Sequence, residues 1–139
     1  MRDKNYKITD NFKFYEFWSN NFGKEKVAPP DTYYVFIEYL ANQLQRVRDM
    51  LTRDYKKDVP ILITSAYRTP EWNASKAVEG AANSKHLKGQ AVDSRAIGIP
   101  LFIYYTYLVR YSELNHLGYY KANNFVHAGI ENKIVVFKY

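Results

Sequence analysis

One long amphipathic segment, residues 32–54, constrains the fold of this chain more than any other feature. Apolar side chains recur there at steps of three and four residues, which is the spacing of one face of an α-helix. Because such a face is stable only when other elements cover it, the segment predicts a scaffold helix inside a globular fold. The face consists of Phe36, Leu40, Leu44, Val47 and Leu51.

Two more helices are expected further along the chain. One begins at Pro100, and a short one runs from Pro70 to Gly80, with Thr69 as its cap. Residues 1–30 form an arm in which an aromatic cluster lies near a short helix. The cluster contains Phe12, Phe14, Tyr15, Phe17 and Trp18.

Short β-rich runs alternate with these helices. The predicted strands are Ile61–Thr64, Ala91–Ser94, Phe125–Ile130 and Ile134–Phe137. The last two are expected to form a hairpin that turns near Glu131 and Asn132. Residues 80–93 are mostly loop. We therefore predict an α+β fold with helices packed on a small, mostly antiparallel sheet, and a single domain over residues 1–139.

The composition excludes some chemistry and leaves several partners open. The chain has no Cys, so disulfides, thiol nucleophiles and Cys-zinc sites are excluded, and a metal would need His, Asp, Glu or carbonyl ligands. Its net charge of +6 favours polyanions, either nucleic acid or the anionic bacterial envelope. A solvated basic surface accounts for the charge equally well.

The polar start, MRDKNYKITD, lacks the apolar region of a secretion signal, and no run reaches the roughly 18 apolar residues of a membrane span. We therefore expect a protein made in the cytoplasm without a signal peptide. It would act at the cell wall only after release by lysis or as part of a virion.

Three side chains, His86, Asp93 and His127, are candidates for a metal site. The three histidines of the chain are His86, His116 and His127, and Asp93 follows His86 by seven residues. Two imidazoles and a carboxylate are a ligand set of hydrolytic zinc sites. A histidine in a strand is also common as an ordinary core residue, so spacing alone leaves both interpretations open.

Three segments carry a more specific pattern. Residues 84–93 read SKHLKGQAVD, residues 65–73 read SAYRTPEWN, and LGYY at 117–120 is followed by FVH at 125–127. They are similar to the Ser-x-His-x-x-Gly-x-Ala-x-Asp signature, the Ser-Gly-Tyr-Arg-x-Pro segment and the Gly-x-Gly-Tyr-Tyr…Phe-Val-His ending of the M15 zinc peptidases. That family includes D-Ala-D-Ala carboxypeptidases and many phage endolysins, and the similarity runs from about Asn11 to Ile130.

The resemblance implies a hedgehog/DD-peptidase-like fold and a role for each matching residue. His86, Asp93 and His127 would bind Zn²⁺. Arg68 would act in catalysis and substrate binding, by holding a substrate carboxylate or polarising the scissile carbonyl. Ser84 would line the substrate pocket by hydrogen bonding, and a turn residue of the loop is the alternative interpretation. The substrate would be bacterial peptidoglycan, cut at peptide bonds that involve D-amino acids, by carboxypeptidase or endolysin-type endopeptidase action.

The chain departs from the family pattern at the general base. Family members place an acid three residues before the third ligand or two after it, and these positions hold Asn124 and Gly129. We expect Glu131 to lie about 13 Å along the strand from His127. His116 is the candidate catalytic base, because an imidazole titrates near neutral pH, and an exposed loop histidine is the alternative interpretation.

Three functions remain open from the sequence. The first is the zinc peptidase. The second is a non-catalytic zinc-binding module of the same fold, acting as a virion or wall-binding protein. The third, nucleic-acid binding, rests only on charge and aromatic content, and no specific recognition motif supports it.

Overall fold

The apolar face predicted at residues 32–54 belongs to the longest helix of the protein. A computed structural model describes residues 2–131 and places this helix, α1, at Tyr34–Tyr55. Its buried face begins with Tyr34 and Ile37, whereas Phe36 is only half-buried. Two further helices follow, α2 at Pro70–Ala74 and α3 at Leu101–Tyr111.

Within residues 2–131, four antiparallel strands form one sheet in the order β1-β2-β4-β3. The predicted α+β class with a small antiparallel sheet is confirmed. The strands are β1 at Ile61–Ser65, β2 at Ala91–Ala96, β3 at His116–Tyr120 and β4 at Phe125–Gly129.

The two faces of the sheet have different surroundings. The Ser94 hydroxyl on β2 lies 2.7 Å from the Tyr104 hydroxyl on α3, and Val92 and Val126 are fully buried in the same core. Because successive side chains of a strand alternate between faces, Asp93 and His127 point to the opposite face. α3, backed by α1, thus covers one face and leaves the other available for a site.

The amino-terminal arm is part of the core. Its short helix is the 3-10 turn Phe14–Phe17, and Phe12 and Phe17 are fully buried. The backbone N–H of Tyr67 donates to the carbonyl of Phe17, which ties the arm to the segment after β1. No helix among residues 2–131 is long and apolar enough to cross a bilayer.

Two details of the predicted fold were wrong. Residues 116–120 were not among the predicted strands, but they form β3, which pairs with β4 as a hairpin around the 3-10 turn Lys121–Asn123. A Cβ at Gly118 would stand 2.7 Å from the Tyr120 ring, so glycine leaves room for that ring beside the strand. The predicted strand Ile134–Phe137 lies outside the described residues.

The second error concerns the end of α2. The helix ends at Ala74 and not at Gly80, because Ser75 adopts an extended conformation and caps it. The cap at Thr69 was predicted correctly, since its side chain accepts from the backbone N–H of Trp72. Gly80 instead donates its backbone N–H to the carbonyl of Asn73.

Candidate metal centre

Three elements bring His86, Asp93 and His127 together. His86 lies in the 3-10 turn Lys85–Lys88, and Asp93 and His127 are directly opposite partners on β2 and β4. One ligand atom from each residue lies within 4.8 Å of the others. Residues that are distant in sequence therefore form one cluster of two imidazoles and a carboxylate.

The His86 ring is oriented by the backbone behind it. Its Nδ1 lies 2.6 Å from the carbonyl of Ala66, so Nδ1 carries the hydrogen and donates it. The other nitrogen, Nε2, then presents its lone pair 3.3 Å from Asp93 Oδ1. A backbone partner of this kind fixes the tautomer that a metal ligand requires.

Ser84 acts on the same turn. Its hydroxyl accepts from the backbone N–H of His86 and so caps the turn. The side chain also lines a cleft beside the cluster, where the sequence predicted substrate contact. Its cap is a structural role that the sequence interpretation had left as an alternative.

Asp93 is the buried anion at the centre of the cluster. Its side chain is 5% exposed, and burial by itself raises the pKa of a carboxyl group. The hydrogen bond from His127 and the electrostatic effect of the two imidazoles outweigh burial and hold the pKa of Asp93 at about 2. The carboxylate is therefore ionised at neutral pH.

The donor atoms fit a divalent cation with nitrogen and oxygen ligands. Donors at 2.0–2.1 Å from a tetrahedral zinc stand roughly 3.4 Å apart. Asp93 Oδ1 lies 3.0 Å from His127 Nδ1 and 3.3 Å from His86 Nε2. With His86 in the tautomer set by Ala66, two lone pairs face each other across 3.3 Å, and a cation is the natural group to separate them.

Arg68 lies beside the cluster at the end of β1. Its guanidinium bonds with Asp93 Oδ2 at 3.4 Å and with the Ser65 hydroxyl at 3.1 Å. Burial lowers the pKa of Arg68, and the negative charge of Asp93 opposes that shift. The backbone N–H of Arg68 also donates to the carbonyl of His86, so the two segments hold each other.

Asn73 supports Arg68 and was not identified from the sequence. Its Oδ1 accepts from Arg68 Nη1 at 3.2 Å, and its amide donates to the carbonyl of Ala81. A Cβ added at Gly80 would collide with the Asn73 side chain, so glycine at that position leaves room for the contact. Asn73 lies within the segment that resembles the family, which was the available signal.

Two open clefts meet at the cluster. The first, of about 490 Å³, lies on the side of Arg68 and Asp93, and the second, of about 390 Å³, lies on the side of His116 and His127. Tyr120 lines both clefts and stacks on Phe125 with ring centroids 4.9 Å apart. A chain that crosses the cluster would therefore occupy space on both sides.

His116 is on β3 and contacts the cluster directly. Its Nδ1 lies 3.0 Å from His127 Nε2, and the two rings are nearly perpendicular. Burial lowers the pKa of His116, as do His127 and Lys85, while Glu131 raises it. The structure thus places the predicted base against a predicted ligand.

The two positions at which family members have an acidic residue, Asn124 and Gly129, have no acidic side chain in this chain. Asn124 is exposed and left-handed, with φ 56°, at the end of the 3-10 turn before β4. A Cβ at Gly129 would stand 3.0 Å from the carbonyl of Gln90. Glu131 follows the end of β4, and its carboxylate lies 3.6 Å from Lys85 Nζ.

A metal-compatible cluster, a partly buried arginine and two open clefts on an α+β scaffold are features expected of a metal-dependent hydrolase. The chain belongs to the peptidase M15 family, whose sequence model matches residues 11–129. A comparison with curated proteins gives no match. The resemblance inferred from the three segments is thereby confirmed, and the protein is a member of a peptidase family.

Proposed function

We propose that this protein is a zinc-dependent peptidase that hydrolyses peptidoglycan bonds involving D-amino acids. The observation that supports this most is the meeting of His86, Asp93 and His127 beside Arg68, in a chain of the M15 family. We include residues 1–139 in one peptidase domain, because the aromatic arm and α1 share one core.

Each residue of the cluster has a part in the proposed reaction. A zinc ion held by His86, Asp93 and His127 would polarise the scissile carbonyl and make water a stronger nucleophile. Arg68 binds a substrate carboxylate or the carbonyl oxygen. Its contacts to Ser65 and Asn73 keep the planar guanidinium group in place. That preorganised charge is the protein's own contribution to stabilising the transition state.

The clefts favour a substrate that continues on both sides of the scissile bond. Pockets of about 300–1,000 Å³ hold drug-sized ligands. The smaller cleft has about 390 Å³, which is more than a single terminal D-alanine needs. Ser84 lines this cleft and is a candidate for hydrogen bonding to the peptide. These features support the endopeptidase form of the reaction over removal of one terminal residue.

Digestion of purified peptidoglycan by the zinc-loaded protein tests the proposal directly. We expect new fragments by mass spectrometry, and their masses identify the bond that is cut. The His86→Ala variant is the control, because it removes one predicted ligand, and it should release none. Protein shown to carry one zinc that releases no fragments would contradict the proposed activity.

The missing acid favours a second function, a non-catalytic zinc-binding module that recognises the wall. Neither Asn124 nor Gly129 can accept a proton as a general base. Two roles are open to His116, the proton acceptor predicted from the sequence and a support for His127. The module would bind zinc and peptidoglycan and release no fragments.

Restoring the acid at position 124 should raise cleavage. We expect Asn124→Asp to increase the rate by up to about 10²–10⁴-fold, the usual contribution of a general base. Aspartate tolerates the left-handed backbone at this position, whereas Gly129→Asp would press a Cβ against the carbonyl of Gln90. The measurement is fragment release under equal zinc loading, with Asn124→Ser as the control without a carboxylate. An unchanged rate in Asn124→Asp would mean that a missing acid at this position does not limit activity.

A further inference from the structure

The contact between His116 and His127 determines which nitrogen of His127 is available to bind a metal. We propose that His116 is a positioning residue, whose Nδ1 accepts a hydrogen bond from His127 Nε2–H and so keeps His127 Nδ1 free to bind the metal. The inference rests on the metal site of the proposed function. It assigns His116 a role other than that of a catalytic general base.

The sheet register creates this contact. His116 is opposite Gly129, and Gly118 is opposite His127, so each imidazole faces a residue without a side chain. Because directly opposite residues share a face of the sheet, the two rings lie as diagonal neighbours on the face of the cluster. They meet there, with 3.0 Å between His116 Nδ1 and His127 Nε2.

The position of one hydrogen atom decides the role of His127. A neutral imidazole carries its hydrogen on one nitrogen and a lone pair on the other. His127 Nδ1 lies 3.0 Å from Asp93 Oδ1, on the side of the predicted metal, so a ligand role requires the lone pair at Nδ1 and the hydrogen at Nε2. The group within hydrogen-bond distance of Nε2 is His116 Nδ1, which then has to be the acceptor.

The same bond survives without metal, with its direction reversed. His127 Nδ1–H then donates to Asp93, and His116 Nδ1–H donates to His127 Nε2. The ring of His127 is therefore oriented before a metal arrives. His86 is held in a corresponding way, since its Nδ1 donates to the carbonyl of Ala66. Both imidazole ligands thus have an outer partner, one from the backbone and one from a side chain.

The proposal distinguishes His116 from a general base. With its Nδ1 accepting from His127 and its hydrogen on Nε2, His116 has no free lone pair with which to take a proton from water. A base would affect catalysis and leave zinc affinity unchanged, whereas a positioning residue affects zinc affinity in the absence of any substrate. Losing such an outer partner typically costs 10–100-fold in metal affinity.

Zinc affinity in two variants tests the proposal. Asparagine places Oδ1 about where histidine has Nδ1 and keeps an acceptor, while leucine has a similar shape and keeps none. We expect His116→Leu to weaken zinc binding by about 10–100-fold in a chelator competition, and His116→Asn to stay within about threefold of the wild type. Tyr119→Leu is the matched control on the same strand, because Tyr119 points to the other face.

A second measurement reads the hydrogen position. In the zinc-loaded wild type, ¹⁵N NMR of the His127 ring should show the hydrogen on Nε2. Unchanged affinity in His116→Leu, a hydrogen on Nδ1 of His127, or no zinc binding by the wild type would each overturn the proposal. Thermal unfolding of the metal-free variants verifies that they fold. Since no substrate is present, reduced zinc affinity supports this role even if peptidoglycan is not cleaved.

Discussion

Replacing Asp93 by asparagine should abolish zinc binding and reduce peptidoglycan cleavage to the background rate. Asp93 is the one anion among the three predicted ligands, and its carboxylate contacts His86, His127 and Arg68 at once. Asparagine keeps the size of the side chain and removes the negative charge. Two neutral imidazoles beside the positive Arg68 would then be left to hold a divalent cation.

Zinc-dependent stabilisation measures this loss without substrate. Zinc at a hundred times its Kd stabilises a folded protein by about 2.7 kcal/mol, and so raises its melting temperature. We expect the wild type to show the increase and Asp93→Asn to show none. The control is Asp58→Asn, which removes an aspartate that pairs with Arg48 at the surface, where the Asp58 side chain is 72% exposed. Equal zinc stabilisation of Asp93→Asn and the wild type would exclude Asp93 as a ligand.

Replacing Arg68 by methionine should lower kcat/KM by about 10²–10³-fold, the usual cost of losing a donor that stabilises transition-state charge. Methionine preserves the apolar stem and removes the guanidinium. The zinc content should stay at one per chain, because Arg68 contacts Asp93 Oδ2 while the two imidazoles face Oδ1. The effect should therefore appear in catalysis and not in metal loading.

Two further variants separate the charge of Arg68 from its shape. Arg68→Lys retains the charge without the planar fork, so it should recover only part of the rate. Arg48→Met is the matched control: Arg48 also pairs with an aspartate, and its side chain is 11% exposed against 15% for Arg68. Cleavage by Arg68→Met within twofold of the wild type would show that the guanidinium does not touch the reacting groups.

Much of the fold was predictable because local patterns encode it. The three- and four-residue spacing of α1 and the β-rich runs of β1 and β2 depend on neighbouring residues, and these elements occur close to where they were predicted. The end of α2 and the strand at His116–Tyr120 were missed. The helix ends where Ser75 adopts an extended conformation, and β3 forms by pairing with β4, which no short window of sequence reveals.

The same distinction between local sequence and tertiary structure applies to the candidate site. The absence of Cys, the presence of only three histidines and the segment 84–93 determined which side chains could form a metal site. Only the tertiary structure decided which of them meet, because strand pairing places Asp93 against His127 and brings His116 to the far side of the His127 ring. Residue types and local periodicity are properties of the chain, whereas contacts between distant residues follow from long-range packing and register.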